Sequence, residues 1–219
     1  MSRPRLLDLF CGAGGAAMGY HRAGFDVVGV DIVPQPHYPF EFIHADALDY
    51  LEGGADGYDA IHASPPCQAH SALRHRTGRD YPDLIPPTRM LLEWSGRPYV
   101  IENVVGAPLF DPLLLCGSMF ALGVRRHRLF EARLLLLAPG PCRHDLQPDP
   151  IDVSGTGGRQ HKPRTLAGGG RGRKPAGVDE ARRVMDMAWS DRRGISQAIP
   201  PAYTEWIGAQ LLRALGVAA

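Results

Sequence analysis

The sequence predicts an α/β fold built on a mostly parallel sheet. Short apolar strand patterns alternate with helical ones through the first half of the chain. A glycine turn joins the first strand pattern to the first helical one, and acids or a cysteine fall where successive strands end.

Each element can be read in order. Arg5-Leu6-Leu7-Asp8-Leu9-Phe10 reads as a buried strand, followed by the turn Gly12-Ala13-Gly14-Gly15. A helical pattern through Ala17, Met18 and Tyr20 stops at Gly24. Phe25 to Asp31 is a second strand with an acid at its end, and Phe40 to Ile43 a third, followed by His44-Ala45-Asp46. Tyr58 to Ala63 is a fourth strand, running into Ser64-Pro65-Pro66-Cys67-Gln68. Pro82 to Trp94 contains a helix, and Pro98 to Ile101 is a fifth strand ending at Glu102-Asn103. Ligands of such sheets sit beyond the carboxyl ends of the strands, where Asp31, Asp46, Cys67 and Glu102 all fall.

The second half differs in character. No acid occurs between Val153 and Val178, while Arg159, Lys162, Arg164, Arg171, Arg173 and Lys174 are basic and glycines are frequent. Val178 to Trp189 reads as a helix with Ala181, Val184, Met185 and Ala188 on one face. Pro200-Pro201 opens a last helix carrying Ile207, Leu211, Leu212 and Leu215.

Composition bounds the function classes. The 219 residues suffice for one buried core with a small appended lobe, and 44% hydrophobic against 21% charged residues argues against wholesale disorder. A net charge of +1 gives no global attraction to nucleic acid, which leaves the local basic segment to supply it. No run of about 18 apolar residues exists and the start passes directly into a strand pattern, so neither a membrane span nor a signal peptide is expected and a cytoplasmic monomer is the default. The four cysteines are widely spaced and read as reduced thiols. Cys142 and His144 are two candidate ligands without a second pair, so no metal is expected.

Two motifs carry chemistry. Gly12, Gly14 and Ala17 fit G-x-G-x-x-A, which lets backbone approach a nucleotide-like ligand, an adenosine cofactor or equally a nicotinamide dinucleotide. Asp31 at the end of the second strand suits ribose hydroxyls. In Ser64-Pro65-Pro66-Cys67-Gln68 the prolines hold the chain extended and fix where Cys67, a potential nucleophile, points. Arg74, His75, Arg76 and Arg79 follow in a polar stretch suited to a lid.

Taken together, Asp8 to Gly15, Pro66-Cys67-Gln68, Glu102-Asn103-Val104, Arg126-His127-Arg128 and Ile199-Pro200-Pro201-Ala202-Tyr203 resemble, in order and rough spacing, the motifs of DNA cytosine-5 methyltransferases. The resemblance covers about residues 5–132 and 195–213. It implies a class I S-adenosylmethionine-dependent methyltransferase fold, Rossmann-like, with a small irregular recognition lobe. It divides the chain into a catalytic domain (1–132), a recognition lobe (133–190) and a C-terminal segment (191–219) that packs back. The cofactor would lie against Phe10, the backbone of Cys11, Gly12, Ala13, Gly14 and Gly15, the acids Asp31 and Asp46, and their neighbours Ile32, Ala47 and Pro66. Cys67 would attack C6 of a flipped-out cytosine, Glu102 would serve N3, and Arg126 and Arg128 would hold the base oxygen and a phosphate. Gln68, Ser71, Arg74, Arg76, Arg159, Lys162, Arg164, Arg171 and Arg173 are the expected contacts to double-stranded DNA.

The chain departs from the family pattern twice. Val124 stands where the arginine motif usually begins with glutamine, and Ser196-Gln197-Ala198 where the closing motif usually reads Gly-Asn-Ser. The second departure leaves a modified methionine cofactor open. Rival readings are an RNA cytosine-5 methyltransferase and a catalytically silent DNA-binding relative, with a nicotinamide-linked oxidoreductase more distant.

Overall fold

The computed structural model describes residues 2–70, 81–147, 149–153 and 176–217. Seven strands form one sheet in the order β3-β2-β1-β4-β5-β7-β6. They are β1 (Arg5–Leu9), β2 (Asp26–Asp31), β3 (Glu41–His44), β4 (Ala60–Ala63), β5 (Tyr99–Asn103), β6 (Leu113–Leu115) and β7 (Arg128–Ala132). The first five pair in parallel, and β7 runs antiparallel to both β5 and β6. The helices are α1 (Gly15–Ala23), α2 (Ala47–Glu52), α3 (Ile85–Ser95), α4 (Val178–Met185), α5 (Arg192–Gln197) and α6 (Pro201–Ala214).

Strand alternation explains the layers. Leu6, Val27, Ala60 and Val100 point to one face and pack with Tyr20 of α1 and Tyr203, Ile207 and Leu211 of α6. Their neighbours Leu7, Val28, Ile61 and Ile101 point to the other, against Leu51 of α2 and Leu91 and Leu92 of α3. Burial on both faces makes these strands nearly continuous apolar runs. α1 and α6 approach closely: a Cβ on Gly19 would fall 2.1 Å from the Pro201 carbonyl oxygen, and the Thr204 hydroxyl donates to the Ala16 carbonyl at 2.8 Å. α6 therefore packs on the sheet together with α1.

Several expected boundaries shift. β5 starts at Tyr99 rather than Pro98 and ends at Asn103. β4 starts at Ala60; Tyr58 lies before it, its hydroxyl 2.9 Å from that of Tyr50. α4 stops at Met185, not Trp189, because Asp186 adopts a left-handed conformation (φ 55°). α4 and the segment to Trp189, assigned from sequence to a separate lobe, share a core with Ala13, Val124 and Ile195. Val124, the residue that departs from the arginine motif, is buried in that core.

Candidate active site

The parallel strands all end at one edge of the sheet, and the antiparallel β7 begins there. Register fixes the consequence: Asn103 pairs with Leu129 and Glu102 with Phe130, so Arg126 and Arg128 arrive beside the end of β5. Cys67 enters the same space from the end of β4, opening a short 3₁₀ turn over Cys67–Ala69. Asn103, buried at the end of β5, holds that turn. Its Nδ2 donates to the Pro65 carbonyl at 2.9 Å, while its Oδ1 accepts the Val104 amide at 2.9 Å. Asn103 belongs to the Glu-Asn-Val motif but was not among the expected site residues; its position beside Glu102 was the available signal.

The four expected catalytic side chains form one electrostatic group. Arg128 Nε lies 2.9 Å from Glu102 Oε1. Burial pushes the Glu102 carboxyl above its ordinary range despite Arg128, the Ser64 hydroxyl and Arg126 pulling it down. Burial likewise raises the Cys67 thiol, with Arg128 opposing and Glu102 reinforcing. Arg126 is depressed to about 9, by desolvation first and Arg128 second. Arg126 Nη2 donates to the Ser196 carbonyl at 2.7 Å, and its own carbonyl accepts the Tyr203 hydroxyl at 2.6 Å. The C-terminal segment thus grips the arginine motif directly. A recess of about 170 Å³ is lined by Val124–Arg128 and Ile151–Val153, and neither Cys67 nor Glu102 lines it.

Behind Glu102 lies a polar chain. Tyr20 Oη is 3.0 Å from His62 Nδ1, His62 Nε2 is 2.9 Å from Ser64 Oγ, and Ser64 hydrogen-bonds Glu102. His62 is wholly buried, which lowers its basicity to about 3, so its ring is neutral. With Glu102 ionised, one proton arrangement satisfies every member: Tyr20 donates to Nδ1, Nε2–H donates to Ser64, and Ser64 donates to the carboxylate.

The expected cofactor residues gather at the other end of this edge. Phe10 adopts a left-handed conformation (φ 56°), rare for an aromatic residue, and so turns the chain out of β1. Asp31 organises the glycine turn: Oδ2 accepts the Gly12 amide at 2.9 Å and Oδ1 the Val33 amide at 2.8 Å. Each oxygen retains a further lone pair. Asp46 caps α2 through Oδ1, accepting from Leu48 and Asp49, with Ala47 buried beneath. Gly12 (φ 49°) faces open space, since a Cβ there would meet nothing within 4 Å. Gly15 is crowded by the closing motif, 2.3 Å from its ideal Cβ to the Ile199 carbonyl oxygen. Ile32, 63% exposed, and exposed Pro66 flank the opening. Trp189 Nε1 donates to the Ala13 carbonyl at 2.8 Å, a further contact to the turn from late in the chain. Cys11 is buried, and its thiol is raised by burial and by Asp8.

Of the expected DNA contacts, Gln68 is described, its Oε1 enclosed without a partner among the described residues. Ser71, Arg74, Arg76, Arg159, Lys162, Arg164, Arg171 and Arg173 lie outside the described residues.

Residues 4–106 match the model of the C-5 cytosine-specific DNA methylases. This stretch is similar to that family. Among curated relatives of the methylase stretch, the Type II methyltransferase M.XorII of Xanthomonas oryzae pv. oryzae is 32% identical over 124 residues, 48% of this chain and 29% of the relative. M.AgeI of Thalassovita gelatinovora, also a Type II methyltransferase, is 28% identical over 120 residues, 47% of this chain and 28% of the relative. The chain thus spans less than a third of the length of these relatives. The fold extends further than the sequence match. The Entamoeba histolytica methyltransferase EhMeth superposes over 98% of this chain and 99% of its own with a TM-score of 0.65 at 11% identity. The α/β methyltransferase fold expected from the motifs is the one found. Among the described residues no helix is long and apolar enough to cross a membrane.

Proposed function

We propose that this methylase transfers a methyl group from S-adenosylmethionine to C5 of cytosine in DNA through a covalent adduct with Cys67. The observation that carries this reading is the convergence of Cys67, Glu102 and Arg128 at one sheet edge, with Glu102 and Arg128 2.9 Å apart. Bound S-adenosylmethionine supplies an electrophilic methyl group on a sulfonium centre. The residues present fit such a ligand: an open face above Gly12, the Asp31 carboxylate for ribose hydroxyls, and apolar flanks at Phe10 and Ile32 for adenine. The target ring atom is inaccessible in a duplex, so the base is extruded into the site.

The chemistry follows from the charges. The Cys67 thiol, which burial keeps protonated, gives its proton to water as its sulfur bonds to C6. Glu102, held toward its protonated form by burial, donates to N3 as negative charge moves onto the ring. C5, now electron-rich, accepts the methyl group. Loss of the C5 proton to water then expels Cys67 as a thiolate, and N3 returns its proton to Glu102, which restores the aromatic ring. Arg126 and Arg128 hold the base oxygen and a phosphate. Residues 133–153 and the basic segment beyond them form the DNA-reading region, giving short target specificity. Nucleoside mass spectrometry of mixed-sequence DNA incubated with protein and S-adenosylmethionine tests the reading. A 5-methylcytosine peak absent from Cys67→Ser supports it; unmodified DNA with modified tRNA in the same assay overturns the choice of substrate.

A further inference from the structure

We infer that Cys116, His127, Cys142 and His144 form a tetrahedral metal site that takes Zn²⁺. The fold brings together what the sequence holds apart. Leu115 of β6 pairs with Arg128 of β7, so the residues just beyond that register, Cys116 and His127, sit side by side. The segment after β7 folds back and brings Cys142 and His144 onto them. The four candidate ligand atoms all lie within 4.8 Å of one another. Cys116 Sγ is 3.3 Å from His144 Nε2, and Cys142 Sγ is 3.6 Å from His127 Nε2. A zinc ion with sulfur at about 2.3 Å and nitrogen at about 2.0 Å in tetrahedral geometry separates a sulfur and a nitrogen ligand by about 3.5 Å. The His127 and His144 rings meet edge-on, at 76° between their planes, rather than stacked.

Donor type and number select the ion. Two thiolates and two imidazoles suit zinc and exclude hard cations such as magnesium or calcium. Four protein ligands leave no open position, which marks a structural rather than a hydrolytic centre. Binding releases the two thiol protons, and the thiolates neutralise the dication, so no net charge enters this half-buried spot. Neighbouring groups already orient the ligands: the Ser118 hydroxyl is 3.2 Å from Cys116 Sγ and accepts the Arg143 amide at 3.0 Å, and Arg125 donates to the His144 carbonyl at 2.8 Å. His127 lies between Arg126 and Arg128, so the ion would anchor the segment that carries both arginines. The site stands independently of the methyl-transfer reading, since its test needs no turnover.

The test uses the full chain purified under reducing conditions without chelator. Elemental analysis should find about one zinc per chain. Cobalt(II) added to the metal-free protein should give the intense visible bands of tetrahedral coordination together with thiolate charge-transfer absorption. Cys142→Ser should lose both zinc and the cobalt spectrum. His144→Cys, which keeps four ligands, should bind cobalt with stronger charge transfer, separating a lost ligand from a lost fold. Folded protein that carries no transition metal and gives no cobalt spectrum overturns the assignment, as does a Cys116–Cys142 disulfide in protein purified with reductant.

Discussion

Asp8 should make this protein less stable as pH rises through neutrality, and Asp8→Asn should remove that dependence. Asp8 is on β1, fully buried, with Oδ1 unpartnered among the described residues and Oδ2 3.4 Å from the Tyr38 hydroxyl. Burial raises its carboxyl from 3.8 to about 8, helped by Asp31 and Glu102 and opposed by Tyr38. Between those values the folded chain holds a proton that the unfolded chain has lost. The stabilisation is therefore complete below pH 3.8 and is lost as pH climbs through about 8. The slope is about 1.4 kcal/mol per pH unit, and the whole interval amounts to roughly 6 kcal/mol. In Asp8→Asn the amide is neutral throughout but leaves its NH₂ without an acceptor, which costs about 1–3 kcal/mol. The variant should thus be the less stable protein at about pH 4 and the more stable one at about pH 8, by roughly 3–5 kcal/mol. Urea unfolding of both proteins across that range measures the difference. A difference that stays flat with pH refutes the reasoning, because it would mean that Asp8 titrates alike in both states.

Glu102→Gln should lower the rate of cytosine modification by about 10²–10⁴-fold. It should also abolish a high-pH limb that, in the parent, follows loss of the Glu102 proton; a rate–pH profile of each decides this. Asn103→Ala should free the Pro65 turn and cut turnover by about 10–100-fold, from a lost buried hydrogen bond of about 1–3 kcal/mol. Calorimetric binding of the cofactor should stay unchanged, and a parallel loss there would show a general collapse instead. Arg89 and Glu131 form a bidentate pair at 2.7 Å and 2.7 Å, with Glu131 also accepting the Phe110 amide. Arg89→Ala should destabilise by about 3–5 kcal/mol in urea titration, while an apolar replacement of both partners should recover most of the loss.

Much of this architecture is legible in the sequence because burial on both faces writes strands as apolar runs. Leu6-Leu7 and Val27-Val28 could be placed without knowing which neighbour faces which layer. The edge strands were not. Leu113–Leu115 is too short to show a period, and Arg128–Ala132 mixes an arginine and a buried acid into its pattern. α2 was also unread, although Asp46, its cap, was picked out as a ligand; the same carboxylate serves a helix in the structure. Left-handed Asp186 ends α4 without the glycine that usually marks such a stop. Motif spacing points to Cys67, Glu102 and the arginines but not to Asn103's hold on Pro65 or the His62–Ser64 chain, which depend on which strands are neighbours. The metal ligands show the same limit. Cys142 and His144 are close in sequence, but their partners come from a strand pairing that no local pattern announces.

The grip of Ser196 and Tyr203 on Arg126, with Trp189 and Ile199 on the glycine turn, bears on the order in which this protein comes alive. Cys67 and the glycine turn precede, in chain order, the groups that hold Arg126 and brace the turn. A nascent chain holding residues 1–132 therefore has Cys67 and Glu102 but lacks the contacts to Arg126 and the glycine turn. The two parts meet through α1 and α6, where the Thr204 hydroxyl donates to the Ala16 carbonyl.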